Sequence, residues 1–407
     1  DIIVDCTGFH RMYLPKLEEF PQFSLERLLG TCFGTEHSES LKICILIDLP
    51  DLSLMHNHDF LEADGFTVQK YAHNVFLNDL TSGVSENLSF TENGFFAFKT
   101  TGGSNLDPDD IATNFEGEQL SLNKDIYPKF DIILAITDYS LTAPLTASAK
   151  IHNFRGATLH GVNDIILNSG LSVDYNEISK QSELFRSVLD QSEFFEIDFE
   201  VFGTTSTLKI DCSKQTAQKS HGLCPYGNPD VANLPAGEVY FVPNSASGSF
   251  PFRFSDGTLA KMCVEDGAIV NASLLRGDQQ KVDDRNLQLN EDPATGIIGE
   301  LGFGTQLLPF SGKDIQDEKI LGTCHVATGR SDHLGGNLTP DLFNSRLNAS
   351  HDDILYAPPK TPEIMVTEVR MQKNGEIIPL LQNFQPTPFL LDHLSSEYPT
   401  EKFAISV

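Results

Sequence analysis

The chain has 407 residues, 40% of them hydrophobic and 21% charged, which is the make-up of a globular protein of two or three domains rather than of a disordered one. Its 57 acidic side chains outnumber 28 basic ones, and the net charge of −29 repels a nucleic-acid backbone or an anionic membrane while favouring cations and neutral or cationic substrates. The 7 cysteines are odd in number and widely spread, without a C-x-x-C pair, which reads as reduced thiols in a cytoplasmic protein.

No apolar run approaches the roughly 18–20 residues of a membrane span, and the chain opens at Asp1 without Met and without a basic-then-apolar leader, consistent with a trimmed start. Lys42 to Leu49, KICILIDL, is a short β-branched run ended by Pro50-Asp51 and is expected to be the first strand of a parallel sheet. From Asn57 to Tyr127 no period stands out, and Thr100 to Asp110 reads as a long loop. Met55 to Phe60, MHNHDF, would present His56 and His58 together if extended, but lies in this unpatterned region and reads as a surface loop. Phe130 to Ile136 is a second buried strand. It is followed by a helix from Ser140 to about Asn153, a strand from Gly156 to Val162, and an amphipathic helix from Asp174 to Leu189.

Beyond Glu193 the texture alternates with period two, and Asp256-Gly257, Asp266-Gly267 and Asn374-Gly375 mark hairpin turns of a largely antiparallel sheet. A helix is expected over Lys313 to Thr328. The predicted architecture is an α/β N-terminal domain over 1–190, a β-rich α+β domain over 191–372, and a C-terminal hairpin and tail over 373–407.

Four segments carry candidate chemistry. In LPAGEVYFVP a Pro-Ala-Gly turn delivers Glu238 to a strand start, with Val239 and Phe241 on the opposite face. In IGELGFGTQ, Glu300 stands among three glycines; without a third glycine at the right spacing or a lysine this is no phosphate cradle, which leaves a sharp turn or a close approach of backbone to ligand. In DEKILGTCHVATGRSDH the expected helix would put Glu318 and His325, seven apart, on one face. In ASHDDILYAP, His351 and Asp353 point to the same side of a strand, a pairing that suits a divalent cation. Nucleophile elbows, zinc-protease helices and Walker loops are absent from the sequence.

Taken in order from Phe130 to Ala357, the segments YSLTAPLTASAKIHNFRGATLHGV, VDYNEIS, LPAGEVYFVP, GELGFGT, DEKILGTCHVATG and HDDILYA resemble the M29 family of metallo-aminopeptidases. The resemblance implies that the β-rich domain is catalytic, and that Glu238, Glu300, His325, His351 and Asp353 bind two divalent metal ions, Zn, Co or Mn. It implies a peptide substrate and a homodimer, with Glu300 also taking part in catalysis. One departure stands out. The family tyrosine that follows the D-E-K histidine by about two helical turns is missing, and Asp332 or His333 occupies its place. Two alternatives stay open. One is a mononuclear non-haem Fe(II) ring-cleaving dioxygenase of the dihydroxypyridine type, which resembles this family but carries histidine where this chain has Glu300; the other is a non-catalytic binding protein on the same scaffold.

Overall fold

A computed structural model describes residues 14–34, 41–84, 90–394 and 396. Cys6 and the last residues of the expected C-terminal tail, 397–407, lie outside the described residues. The six described cysteines are free thiols, and no described helix is long and apolar enough to cross a membrane. Contacts divide the described residues into two units, one within 17–179 and 221–236, the other within 14–16, 180–220 and 237–396.

The first unit is built on β1 (Lys42–Leu49), whose residues from Ile43 onward are all buried. A strand apolar on both faces belongs in the middle of a parallel sheet. It pairs in parallel with β2 (Glu92–Lys99) on one side. Two short antiparallel strands, β3 (Ile111–Thr113) and β4 (Gln119–Ser121), extend that edge. On the other side lie β5 (Ile132–Ala135), β6 (Arg155–Thr158) and a last parallel strand at Val231–Asn233. The crossover between β5 and β6 is the helix Thr142–His152, closed by Asn153 in the left-handed conformation at φ 60°. The region 57–127, unpatterned in sequence, holds a one-turn helix Asp59–Glu62 and a continuous helical run from Thr67 to Ser82 whose middle, Ala72–Leu77, is π-helical and so off the α-helical period, together with β2. MHNHDF lies mostly in a 3-10 turn over Leu52–His58 with non-helical backbone at His56 and Asn57, so its two imidazoles are not presented as on a strand.

The named strands of the second unit all pair antiparallel. Its larger sheet contains β7 (Phe194–Val201) and β8 (Thr204–Asp211), paired over eight residues. The strand β9 (Gln218–Ser220) starts a smaller sheet, and Val231–Asn233, already met, is β10. The smaller sheet continues with β11 (Glu238–Phe241), while β12 (Ser245–Arg253), β13 (Leu259–Glu265) and β14 (Ala268–Arg276) form a meander on the larger one. The turn Asp266-Gly267 between β13 and β14 has both residues at positive φ, 47° and 86°, as a tight two-residue turn requires. Next come β15 (Ile298–Gly304), β16 (Cys324–Gly329) and β17 (His351–Tyr356). The larger sheet then closes with β18 (Met365–Lys373), β19 (Glu376–Gln382) and β20 (Gln385–Pro386), with Asn374-Gly375 making the expected hairpin. The smaller sheet has the order β17-β16-β15-β11-β9.

One expected element is replaced. The helix predicted over Lys313–Thr328 is a single turn, Asp314–Asp317, and His325 lies on β16. Gly322, at φ 104°, takes a backbone conformation closed to a helix, and Cys324 to Gly329 find their hydrogen bonds across strands β15 and β17 instead.

Candidate metal centre

The smaller sheet has two chemically opposite faces. Val239, Phe241, Leu301, Phe303, Cys324, Val326, Ile354 and Tyr356 alternate onto one face and belong to the unit's main hydrophobic core. Burying each large side chain contributes about 1.5–3 kcal/mol, so this face fixes the register. The period of two then places Glu238, Glu300, His325, His351 and Asp353 together on the other face.

Across the strands each of these five meets a small residue. Glu238 lies opposite Gly304, His325 opposite Gly302, Glu300 and Asp353 opposite Ala327, and His351 opposite Gly329. Directly opposed residues share a face, so the donors stand over a floor of glycine and alanine. The clearance is needed. A Cβ on Gly302 would sit 2.1 Å from Cε1 and 2.3 Å from Nε2 of His325, because the imidazole lies flat over that glycine. A register shift between Ile298 and Glu300, centred on Gly299, turns the strand just before the carboxylate.

Glu300 is shared. Its Oε1 lies 3.4 Å from Nε2 of His325, and its Oε2 lies 2.9 Å from Nε2 of His351. Each imidazole has a second carboxylate, Glu238 Oε2 at 3.8 Å from His325 and Asp353 Oδ1 at 3.3 Å from His351. Three groups among the described residues bring ligand atoms within 4.8 Å of one another: Glu238 with Glu300 and His325, Glu300 with His351 and Asp353, and Glu318 with His325 and Asp353. Each group holds one imidazole. Nδ1 of His351 donates to the Arg330 carbonyl at 2.6 Å, which aims Nε2 at the cluster.

Burial alone would raise the Glu300 carboxyl, but the two imidazoles outweigh it and hold it below its usual range. Burial likewise opposes charge on His325, and Glu300, Glu318 and Glu238 overcome it, pushing the imidazole up to about 10. His351 is raised in the same way by Asp353 and Glu300. Protons on two imidazoles thus balance carboxylates that a divalent cation would balance with neutral imidazoles. The buried Glu238 Oε2 has no hydrogen-bond partner, an orphan that a cation at this position would satisfy.

Two residues outside the predicted ligand set complete the cluster. Lys319 is fully buried, with Nζ 3.0 Å from Glu238 Oε1 and 2.5 Å from Glu318 Oε1. Burial disfavours its charge, yet Glu238 and Glu318 hold the ammonium above its ordinary range. Glu318, desolvated, is pushed up to about 8. In sequence Lys319 sits in the charged run Asp317-Glu318-Lys319, which reads as solvated; the apolar Ile320-Leu321 that follows is the one hint of burial.

Asp332 and His333 lie in a 3-10 turn after β16. Asp332 is engaged by the guanidinium of Arg330 at 2.7 and 3.2 Å. The His333 ring packs edge-on against His351, centroids 4.9 Å apart, and burial holds its imidazole below its ordinary range. Its Nδ1 is buried without a hydrogen-bond partner. His333 therefore borders the cluster, with Nδ1 3.9 Å from Asp332 Oδ1, and Asp332 stands between it and the Arg330 guanidinium.

No protein-family model matches the chain, and no curated protein does. Among solved structures it is similar to 2,5-dihydroxypyridine dioxygenase from Pseudomonas putida KT2440, at 11% identity and a TM-score of 0.52, covering 86% of this chain and 92% of that one. It is also similar to wild-type AmpT from Thermus thermophilus, at 14% identity and a TM-score of 0.49, covering 91% and 98%. The dioxygenase likeness is one of fold.

Proposed function

We propose that the chain is a metal-dependent aminopeptidase that removes N-terminal residues from peptides, with two divalent cations that would activate the water. The observation that carries this reading is the division of Glu300, whose two oxygens face two imidazoles that each have a further carboxylate of their own. Glu238, Glu300 and His325 would hold one cation, and Glu300, His351 and Asp353 the other. Oxygen and imidazole donors without thiolate suit Zn, Co or Mn. Such a pair supplies Lewis acidity toward a carbonyl and lowers the pKa of water.

The chain's own groups have the remaining tasks. Glu318, buried beside the cluster and fixed by Lys319, takes the proton of the attacking water and returns it to the leaving amine. His333, facing the cluster from beyond His351, occupies the place of the family tyrosine and donates to the developing oxyanion. The acidic surroundings favour a protonated substrate amino group, which confines cleavage to the first residue.

The fold likeness to a dioxygenase makes a mononuclear iron site the second reading. Such a site needs two histidines and one carboxylate around one ion, whereas His325 and His351 share none of the three groups. Purified protein loaded with Zn, Co or Mn should bind two ions per chain and release the first residue from a panel of aminoacyl p-nitroanilides. Oxygen uptake with Fe(II) and a dihydroxypyridine, with no hydrolysis on the panel, would overturn the peptidase reading. Less than one bound ion per chain would leave a binding protein.

A further inference from the structure

Arg155, at the start of β6, is buried at 7% exposure in a protein of net charge −29, yet none of the described carboxylates lies within ion-pairing reach of it. Asp131, whose charge it feels, accepts instead from the Lys42 amide at 2.8 Å. Among the described residues the guanidinium bonds through Nη1, to the carbonyls of Phe33 at 2.6 Å and Cys224 at 3.0 Å. Buried charges are ordinarily paired, because an isolated one forfeits its hydration. Burial accordingly works against this guanidinium, lowering its pKa.

Arg155 lines a cavity of about 370 Å³ within the first unit. That volume lies in the range of small-molecule sites, at about 300–1,000 Å³. The rings of Phe33 and Tyr226 lie 5.5 and 5.7 Å from the guanidinium carbon, and Pro225 continues the apolar wall. Thr31 and Asn176 add polar groups to the lining. Helix capping explains Nη1, since Phe33 ends the helix Leu25–Phe33. It does not explain Nε and Nη2, which form the fork that matches a carboxylate.

We propose that this cavity binds a small organic carboxylate, its anionic head on Arg155 and its apolar body between Phe33 and Tyr226. The site is independent of the metal centre, since every described lining residue belongs to the first unit.

Calorimetry on the full chain with benzoate tests it, with benzyl alcohol as the neutral analogue of similar shape. Benzoate should bind at least about tenfold more tightly than benzyl alcohol. Arg155→Met should remove that difference. Because Arg155 also holds two backbone carbonyls, the exposed Asn176→Asp gives a second variant that adds a negative charge to the lining and spares them, and it should weaken benzoate by about tenfold while leaving benzyl alcohol unchanged. Equal binding of benzoate and benzyl alcohol, or unchanged benzoate binding in folded Arg155→Met and Asn176→Asp, would overturn the proposal. Inorganic phosphate binding as tightly as benzoate would overturn the assignment to an organic carboxylate.

Discussion

Glu300 and Gly302 act as a pair, one supplying the shared carboxylate and the other the empty volume in which His325 reaches it. Glu300→Gln keeps the shape but removes the charge common to both groups. We expect metal stoichiometry by elemental analysis to fall below two, and hydrolysis to fall by more than the roughly 10–100-fold typical of losing a ligand's hydrogen-bond partner. Gly302→Ala drives a methyl into the imidazole, so metal affinity by calorimetry should weaken and stability should drop by about 1–3 kcal/mol, as overpacking does. At this scale the sequence was informative where side-chain chemistry is unusual: a carboxylate among glycines, and an H-x-D on a strand. It was silent on Lys319, because a lysine beside two acids looks solvated until the fold shows Glu238, 81 positions away, closing over it.

Among elements, β1 shows how a strand end stores a pH dependence. Asp48, near its carboxyl end, accepts hydrogen bonds from the Asp138 amide and Gln69, but burial dominates and lifts its pKa from 3.8 to about 6. The folded state therefore holds a proton that the unfolded chain releases between about pH 4 and 6, so the stability contributed by protonated Asp48 is fully present below 3.8 and is lost as pH rises through 6. Asp48→Asn, which keeps the acceptor oxygen, should stabilise the protein at pH 7 by up to about 3 kcal/mol and have no effect near pH 3. Urea melts at the two pH values check the sign. β1, β5 and the hairpin turns were legible because their signals are local: apolar runs and Asp-Gly or Asn-Gly pairs. β16 was not. Isolated, Lys313 to Thr328 has helical spacing, and what makes its second half a strand is pairing with β15 and β17, supplied by segments on either side of it in the chain.

For the whole molecule, the excess of carboxylates over fixed cations couples metal loading to stability. Chelation should lower the thermal midpoint, and reloading at about 100 times the dissociation constant should restore roughly 2.7 kcal/mol per site. Hydrogen exchange should place the added protection on β11, β15, β16 and β17, the strands that carry the donors. An equal gain spread over both units would argue against a cation held at this sheet.

The sequence by itself determined the strand periodicity and thereby the two faces of the smaller sheet, since alternation is a property of each segment alone. It also determined the acid surplus that invites cations, and the small residues that leave them room. Tertiary structure decided which small residue lies opposite which donor, that His325 rides on a strand, and that Lys319 is buried against Glu238 and Glu318. Those facts depend on register and on contacts between segments far apart in the chain, where backbone pairing and desolvation outweigh local preference.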